Sequence, residues 1–91
     1  MAGRGWRVEF DRAAARDLRK LGAEAEGLIL RYLRERIAGS GDPRRFGHAL
    51  TGDLKGLWRY RVGGYRIVAS IEDHRFVVLV VTIGHRREVY R

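Results

Sequence analysis

The first third of the chain changes from an alternating hydrophobic pattern to a helical one. Residues 6–10 alternate between apolar and polar side chains, which predicts a short strand. Asp11 suits a helix N-cap and Gly22 suits a C-terminal stop, so a first helix is expected from Arg12 to Leu21. A second helix follows from about Ala23 to Ala38 and forms a helical hairpin with the first. Its apolar stripe consists of Ile29, Leu33 and Ile37.

The C-terminal half alternates with the period of β-strands. Three strands are predicted after a loop over residues 39–52: Leu57 to Val62, Tyr65 to Glu72, and Arg75 to Ile83. The Gly63-Gly64 pair permits the positive φ angles of a two-residue hairpin turn. Because helices and strands are segregated along the chain, an α+β fold is predicted, with the helices packed on one face of an antiparallel meander. The N-terminal strand completes this single domain, residues 1–91.

The two-residue turn determines which side chains of the hairpin share a face. It pairs Val62 with Tyr65 and Arg61 with Arg66, and side chains alternate outward from there. The apolar face, which should pack on the core, carries Trp58, Tyr60, Val62, Tyr65, Ile67 and Ala69. The other face carries Arg59, Arg61, Arg66 and Ser70. Because directly opposed like charges are destabilising, this cluster favours a phosphate ligand. The alternative is that water, or acidic side chains from elsewhere in the chain, neutralises it.

The last strand is expected to extend this surface. With a two- or four-residue reversal at Asp73-His74, the expected cross-strand pairs are Arg66 with Val81 and Ser70 with Val77. An odd loop would turn the strand over. The apolar run at residues 76–81 predicts a central strand that is covered on both faces. After its end at Ile83-Gly84, a tail should bring a histidine, a guanidinium and a phenol close to the arginines. This tail carries His85, Arg86, Arg87 and Tyr90.

The net charge of the chain indicates an acidic binding partner without identifying its class. Nineteen Lys and Arg against eleven Asp and Glu give +8, and only Lys20 and Lys55 are lysines. Arginine grips phosphate bidentately and stacks on bases, so nucleic acid, an acidic protein or an anionic membrane surface is expected. Arginine-rich composition also arises in GC-rich genomes, so the charge alone decides little.

Cysteine usage and the apolar runs indicate the compartment. The chain has no cysteine, which removes disulfides and thiolate chemistry and fits a reducing cytosol. Its start lacks the apolar segment of a signal peptide, and the run at residues 76–81 is too short to cross a bilayer. A cytoplasmic protein without membrane association is therefore expected.

Three motifs in a fixed order connect the chain to a known family. They are residues 50–61, Leu-Thr-Gly-Asp-Leu-Lys-Gly-Leu-Trp-Arg-Tyr-Arg; residues 64–68, Gly-Tyr-Arg-Ile-Val; and residues 83–90, Ile-Gly-His-Arg-Arg-Glu-Val-Tyr. With the opening strand and the basic helical hairpin, they resemble the RelE/ParE toxin superfamily, and within it the RelE branch of messenger-RNA endonucleases. The resemblance covers essentially the whole chain.

The resemblance implies the toxin of a bacterial type II toxin–antitoxin system, which enters the ribosomal A site and cuts the mRNA there. This chemistry needs no metal ion or other cofactor. The ribose 2′-OH attacks the adjacent phosphate and leaves a 2′,3′-cyclic phosphate and a free 5′-OH. The implied partners are the 70S ribosome with its mRNA and a cognate antitoxin. Operator DNA would be bound only through the antitoxin.

The resemblance also assigns catalytic roles. Arg59 and Arg61 match a basic pair that is often lysine, Arg66 and Arg86 match two phosphate-stabilising arginines, and Tyr90 matches a C-terminal tyrosine that positions the substrate. All four arginines, together with Arg87, are expected to contact RNA.

This sequence departs from the family pattern in the residues that could act as the general base. Arginine at positions 59 and 61 holds a fixed charge and abstracts protons poorly. His85 is the nearby residue with suitable acidity, and a surface position or a backbone hydrogen bond is the alternative explanation for it. His48 and His74 are expected in loops without a catalytic role.

Two other functions remain open from the sequence. A ParE-type toxin would share the fold and poison DNA gyrase, although such relatives generally lack the full arginine–tyrosine set. A catalytically degenerate toxin would act as an antitoxin ligand or as part of an operator complex, and arginine in place of lysine keeps that possibility open.

Overall fold

The structure, a computed structural model, describes residues 5–39 and 41–85. The first helix, α1, spans Arg12–Lys20 and begins as predicted, because the Asp11 carboxylate accepts a hydrogen bond of 2.9 Å from the backbone N–H of Ala14. Gly22 follows the helix with a φ of 94°, a conformation that glycine adopts without steric cost. The chain thereby turns directly into the second helix.

The second helix, α2, spans Ala23–Tyr32 and continues into a π-helical turn, Leu33–Ile37. The predicted single helix to Ala38 is therefore nearly right in extent but wrong in its last turn. There the N–H of Ala38 donates to the carbonyl of Leu33, five residues back, at 2.8 Å. The predicted apolar stripe is confirmed, since Ile29, Leu33 and Ile37 are all buried.

Within the described residues, five strands form one sheet. In chain order they are β1 Arg7–Phe10, β2 His48–Ala49, β3 Trp58–Val62, β4 Tyr65–Glu72 and β5 Val77–His85. Their order across the sheet is β1-β5-β4-β3-β2, which confirms the central position predicted for the last strand. β1 runs parallel to β5, and the other neighbours are antiparallel. The short β2 is a difference from the sequence, which predicted a loop there.

The β3–β4 hairpin has the predicted register. Val62 faces Tyr65 and Arg61 faces Arg66 across the Gly63-Gly64 turn, where Gly63 has a φ of 59°. The arginines consequently share one face of the sheet. The opposite face carries Tyr60, Val62, Ile67 and Ala69, all of them buried in the core.

The β4–β5 register differs from the prediction. The observed pairs are Arg66 with Gly84 and Ser70 with Leu79, where the prediction had Val81 and Val77 as partners. Glu72 pairs with Val77, so the four residues of the reversal are 73–76. This reversal is not centred on Asp73-His74 as predicted, and the strand is therefore shifted by two positions. An irregularity between Val68 and Ala69 shifts it by one more, as a β-bulge does. The strand also continues through His85 instead of ending at Ile83-Gly84.

Both helices pack on one face of this sheet, which confirms the α+β fold. The core lies between the two layers. Its buried members are Ala14, Leu18, Ile29, Leu33 and Ile37 from the helical layer, and Tyr60, Val62, Ile67, Ala69, Val78, Val80 and Ile83 from the sheet. No helix in the described part of the chain is long and apolar enough to span a membrane.

The Asp11 cap gives a first prediction about stability. Asp11→Ala leaves the N–H of Ala14 without its acceptor, so the free energy of unfolding should fall by about 1 kcal/mol and Tm by about 4–8 °C. Denaturant and thermal unfolding of the purified protein measure both. Asp11→Asn is the matched control, because asparagine caps helices as well as aspartate does. An equal loss in both variants would contradict the capping role.

Candidate nucleic-acid interface

Two rows of side chains cross the sheet on the face away from the helices. One row is His48, Arg59, Val68 and Thr82, taken from β2 to β5. The neighbouring row is Arg61, Arg66 and Gly84. We call Arg59, Arg61 and Arg66 the arginine face. The prediction that these three side chains share a surface is confirmed by the register.

The three arginines differ in their exposure. Arg61 is exposed, Arg59 is half-buried, and Arg66 is only 9% exposed. A guanidinium that is largely removed from water acts on a ligand with less screening than one at the open surface. The Nε atom of Arg59 is also buried, and no described residue accepts a hydrogen bond from it. A buried donor of this kind is costly unless a ligand or water satisfies it.

Carboxylates on the same sheet face lie at its other end. Glu9 in β1 and Glu72 at the end of β4 both form ion pairs with Arg75, at 3.5 and 2.6 Å, and Glu9 also contacts Arg7 at 3.0 Å. Within the described residues Arg59 has no ion pair. Among the described residues, acidic groups from elsewhere in the chain therefore do not neutralise Arg59.

A tightly held loop, residues 43–47, borders the arginine face. The Tyr60 hydroxyl donates a 2.8 Å hydrogen bond to the carbonyl of Pro43, and the Trp58 indole N–H donates to the carbonyl of Phe46 at 2.6 Å. Gly47 has a φ of 80°, and a Cβ atom there would collide with the carbonyl oxygen of Arg59. Only glycine allows the loop to approach β3 this closely.

Burial keeps the Tyr60 hydroxyl in its protonated, donating form. It raises the pKa of this phenol well above the usual value, an effect that the nearby Tyr32 reinforces and Arg44 opposes. Arg44 itself ties the same loop to the β4–β5 turn through two hydrogen bonds to Asp73, at 2.9 and 2.7 Å. These hydrogen bonds hold the Asp73 pKa below its usual range. The loop is thus fixed at both of its sides.

The fixed loop closes a pocket of about 190 Å³ at the outer edge of β3. Its lining residues are Tyr32, Phe46, Gly47, His48, Arg59 and Arg61. Two further guanidinium groups flank the Phe46 ring, with Arg45 at 5.2 Å and Arg36 at 5.7 Å from its centroid. The Tyr32 ring lies 6.2 Å from the ring of Tyr60.

Two of the three histidines lie elsewhere than expected. His85 pairs with Tyr65, and its ring meets the Tyr65 ring edge-on at 5.5 Å. Directly opposed residues share a face, so His85 belongs to the helix-covered side and not to the arginine face. The reason is that β5 runs on through His85 without turning at Gly84. His48, predicted in a loop, instead pairs with Arg59 and lines the pocket.

The remaining predicted site residues, Arg86, Arg87 and Tyr90, lie outside the described residues. His74 lies in the turn after β4, as expected. Among the described residues no group of three or more histidine, aspartate or glutamate side chains could hold a metal ion. The arrangement as a whole combines fixed positive charge, aromatic rings and one imidazole, which suits a phosphodiester and its bases.

Comparisons with known proteins identify the family. Residues 8–90 match the family model described as the ParE toxin of the type II toxin–antitoxin system parDE. The chain is 31% identical over 84 residues to the toxin RelG of Mycobacterium tuberculosis, a match that covers 92% of this chain and 94% of that protein. The chain belongs to the RelE/ParE toxin family.

Solved structures of RelE toxins share the fold. The RelBE2 toxin–antitoxin complex of Mycobacterium tuberculosis matches with a TM-score of 0.80 and 30% identity, covering 89% of this chain and 91% of that one. The isolated RelE toxin of E. coli matches with a TM-score of 0.71 and 29% identity, covering 93% and 90%. The family and fold implied by the motifs are both confirmed, and the chain is a RelE-family toxin of a type II system.

The Tyr60 hydroxyl gives a test of how the toxin holds its loop. Tyr60→Phe removes the hydrogen bond to Pro43, so the free energy of unfolding should fall by about 1 kcal/mol. Amide hydrogen exchange should also become faster between residues 43 and 48. Tyr65→Phe is the control, because the Tyr65 hydroxyl makes no hydrogen bond within the described part of the chain. Unchanged exchange in Tyr60→Phe would contradict this role.

Proposed function

We propose that this toxin is a ribosome-dependent endoribonuclease that cuts mRNA in the ribosomal A site. The observation that carries the proposal is the arginine face, on which Arg61 and Arg66 are directly opposed and Arg59 lies on the adjacent row. Membership of the RelE/ParE family supports the proposal, because the resemblance to the RelE branch implies this activity.

The chemistry is a transesterification within the RNA. The ribose 2′-oxygen attacks the adjacent phosphorus and loses its proton to a base, while the bond to the 5′-oxygen breaks and that oxygen takes up a proton. The products are a 2′,3′-cyclic phosphate and a 5′-hydroxyl. Negative charge accumulates on the phosphorane, and preorganised donors for such charge contribute about 10²–10³-fold each. Arg59, Arg61 and Arg66 are suited to this task, and Arg86 is proposed to join them.

A toxin with this activity would cut the mRNA of the cell that makes it unless its arginine face were covered. The related RelBE2 complex contains a toxin and an antitoxin. We therefore propose a cognate antitoxin as partner, with operator DNA bound through the antitoxin and not by the toxin. Tyr90 and Arg87 are proposed to contact the mRNA, and the ribosome supplies the rest of the site.

His48 is the stronger candidate for the general base. It pairs across the strands with Arg59, on the face where the phosphate is proposed to bind, and it lines the adjoining pocket. His85 pairs with Tyr65 on the other face. An imidazole is chemically suited to take the 2′-OH proton near neutral pH, whereas a guanidinium is not.

Poisoning of DNA gyrase is the second candidate function, because the matching family model carries the name of the ParE toxin. A catalytically degenerate toxin is the third. The two activities leave different products: cleaved mRNA with intact DNA in one case, and gyrase-linked DNA breaks with intact mRNA in the other. Both are measured on the same purified toxin with ribosomes and mRNA, or with gyrase and plasmid. A degenerate toxin leaves both substrates intact.

Removal of arginines tests the phosphate site. Arg66→Ala and Arg86→Ala should each lower the rate of mRNA cleavage on ribosomes by about 10²-fold or more, since each removes a charged donor to the phosphorane. Single-turnover cleavage of a defined mRNA measures the rate. Arg7 is exposed and lies in the strand at the other edge of the sheet. The Arg7→Ala variant is therefore the control and should cleave mRNA at the rate of the wild type. Full activity in the Arg66→Ala, Arg86→Ala double variant would overturn the assignment.

Removal of each imidazole tests the base. His48→Gln should slow single-turnover cleavage by about 10²-fold or more, because a glutamine amide cannot take up the 2′-OH proton, whereas His85→Gln should cleave like the wild type. The opposite result, slow cleavage in His85→Gln alone, would return the role to His85.

A further inference from the structure

The pocket at the outer edge of β3 shares His48, Arg59 and Arg61 with the proposed phosphate site, whereas the proposed chemistry makes no use of Tyr32 and Phe46 in its walls. β2 pairs with β3 at Trp58 and Arg59, and Arg61, which lies beyond this pairing, lines the pocket. Tyr32 forms one wall from the end of α2, and Phe46 from the fixed loop and His48 from β2 form another. Arg59 and Arg61 stand at the boundary between this pocket and the arginine face.

The chemistry of this lining is that of a nucleotide site. Aromatic and imidazole rings offer flat surfaces to a base, and guanidinium groups offer both stacking and a phosphate contact. The buried Nε of Arg59 supplies a donor that no described residue satisfies. Arg36 and Arg45 flank the Phe46 ring, and the Tyr32 ring contacts that of Tyr60, so both aromatic walls are supported by contacts within the protein.

We propose that this pocket binds one nucleobase of single-stranded RNA, that of a nucleotide adjoining the cleaved bond. The base lies against the Tyr32 ring, and its phosphate lies between Arg59 and Arg61. The pocket thereby fixes the register of the RNA along the arginine face and contributes to the choice of cleavage position. This inference rests on the proposed function, since it assumes that the arginine face holds RNA.

An RNA base suits the pocket better than an acidic peptide does. A carboxylate would be satisfied by the arginines alone and would gain nothing from the ring of Tyr32, which the fold keeps half-buried at the pocket wall. A base uses both features at once, because it is flat, polarisable and joined to an anion. Insertion of an antitoxin side chain is the competing outcome, and the experiment below distinguishes it.

The test uses the full-length toxin, purified free of antitoxin, and a trinucleotide of 2′-O-methyl RNA, in which the attacking hydroxyl is blocked. NMR titration measures the dissociation constant. Tyr32→Ala should weaken binding by about tenfold or more, since stacking on one aromatic ring is typically worth that much. Tyr32→Phe keeps the ring and should bind within about twofold of the wild type. Leu28→Ala, an exposed position on the same helix outside this pocket, should leave binding unchanged.

A measurement on the unsubstituted toxin covers the case in which Tyr32→Ala does not fold. Nuclear Overhauser contacts should connect base protons of the bound trinucleotide with the Tyr32 ring. Their absence in a saturated complex would overturn the proposal. So would equal affinity in Tyr32→Ala and wild type, or a defect of Tyr32→Ala confined to antitoxin binding.

Failure of the pocket and failure of the proposed function give different results. If Tyr32→Ala binds the trinucleotide normally and cuts mRNA at the same positions as the wild type, the proposed base binding by the pocket is wrong and the proposed nuclease activity is supported. If the wild type cuts no mRNA but binds the trinucleotide through Tyr32, the proposed base binding is supported and the proposed nuclease activity is wrong. With both correct, Tyr32→Ala should cut with a changed distribution of positions.

Discussion

The register of the β3–β4 hairpin is the constraint on which the rest of the molecule depends. A slip of one residue would move every side chain of one strand to the other face and expose either Tyr60 of β3 or Ile67 of β4, both of which are fully buried. Full burial of a large apolar side chain stabilises by about 1.5–3 kcal/mol, whereas a like-charged pair directly opposed across two strands costs at most about 1 kcal/mol. The stabilisation from core burial therefore exceeds the cost of the like-charged pair, and Arg61 and Arg66 are held opposite one another.

Tyr60 connects this core to the candidate site. Its ring is buried beneath the helices, while its hydroxyl holds the loop at Pro43. The loop in turn presents His48 beside Arg59 and completes the pocket. Site geometry and core packing are consequently not independent here, because the same side chain serves both.

Sequence patterns predicted the elements whose signals are local. The Gly63-Gly64 turn and the period of two fixed both faces of the hairpin, and Asp11 and Gly22 marked the ends of α1. The β4–β5 register had no such signal, because turn length and the bulge each shift it and neither changes the hydrophobic pattern. A strand of two residues shows no periodicity, which is why His48 was expected in a loop.

The distribution of charge on the sheet face is more informative than the total of +8. At one end Glu9 and Glu72 neutralise Arg75 in ion pairs on the protein itself. At the other end stands the arginine face, where burial of Arg66 reduces the screening by water. An anion is therefore attracted to one end of the face only. Under the proposed function, an antitoxin that neutralises this end competes directly with mRNA, so inhibition requires no conformational change in the toxin.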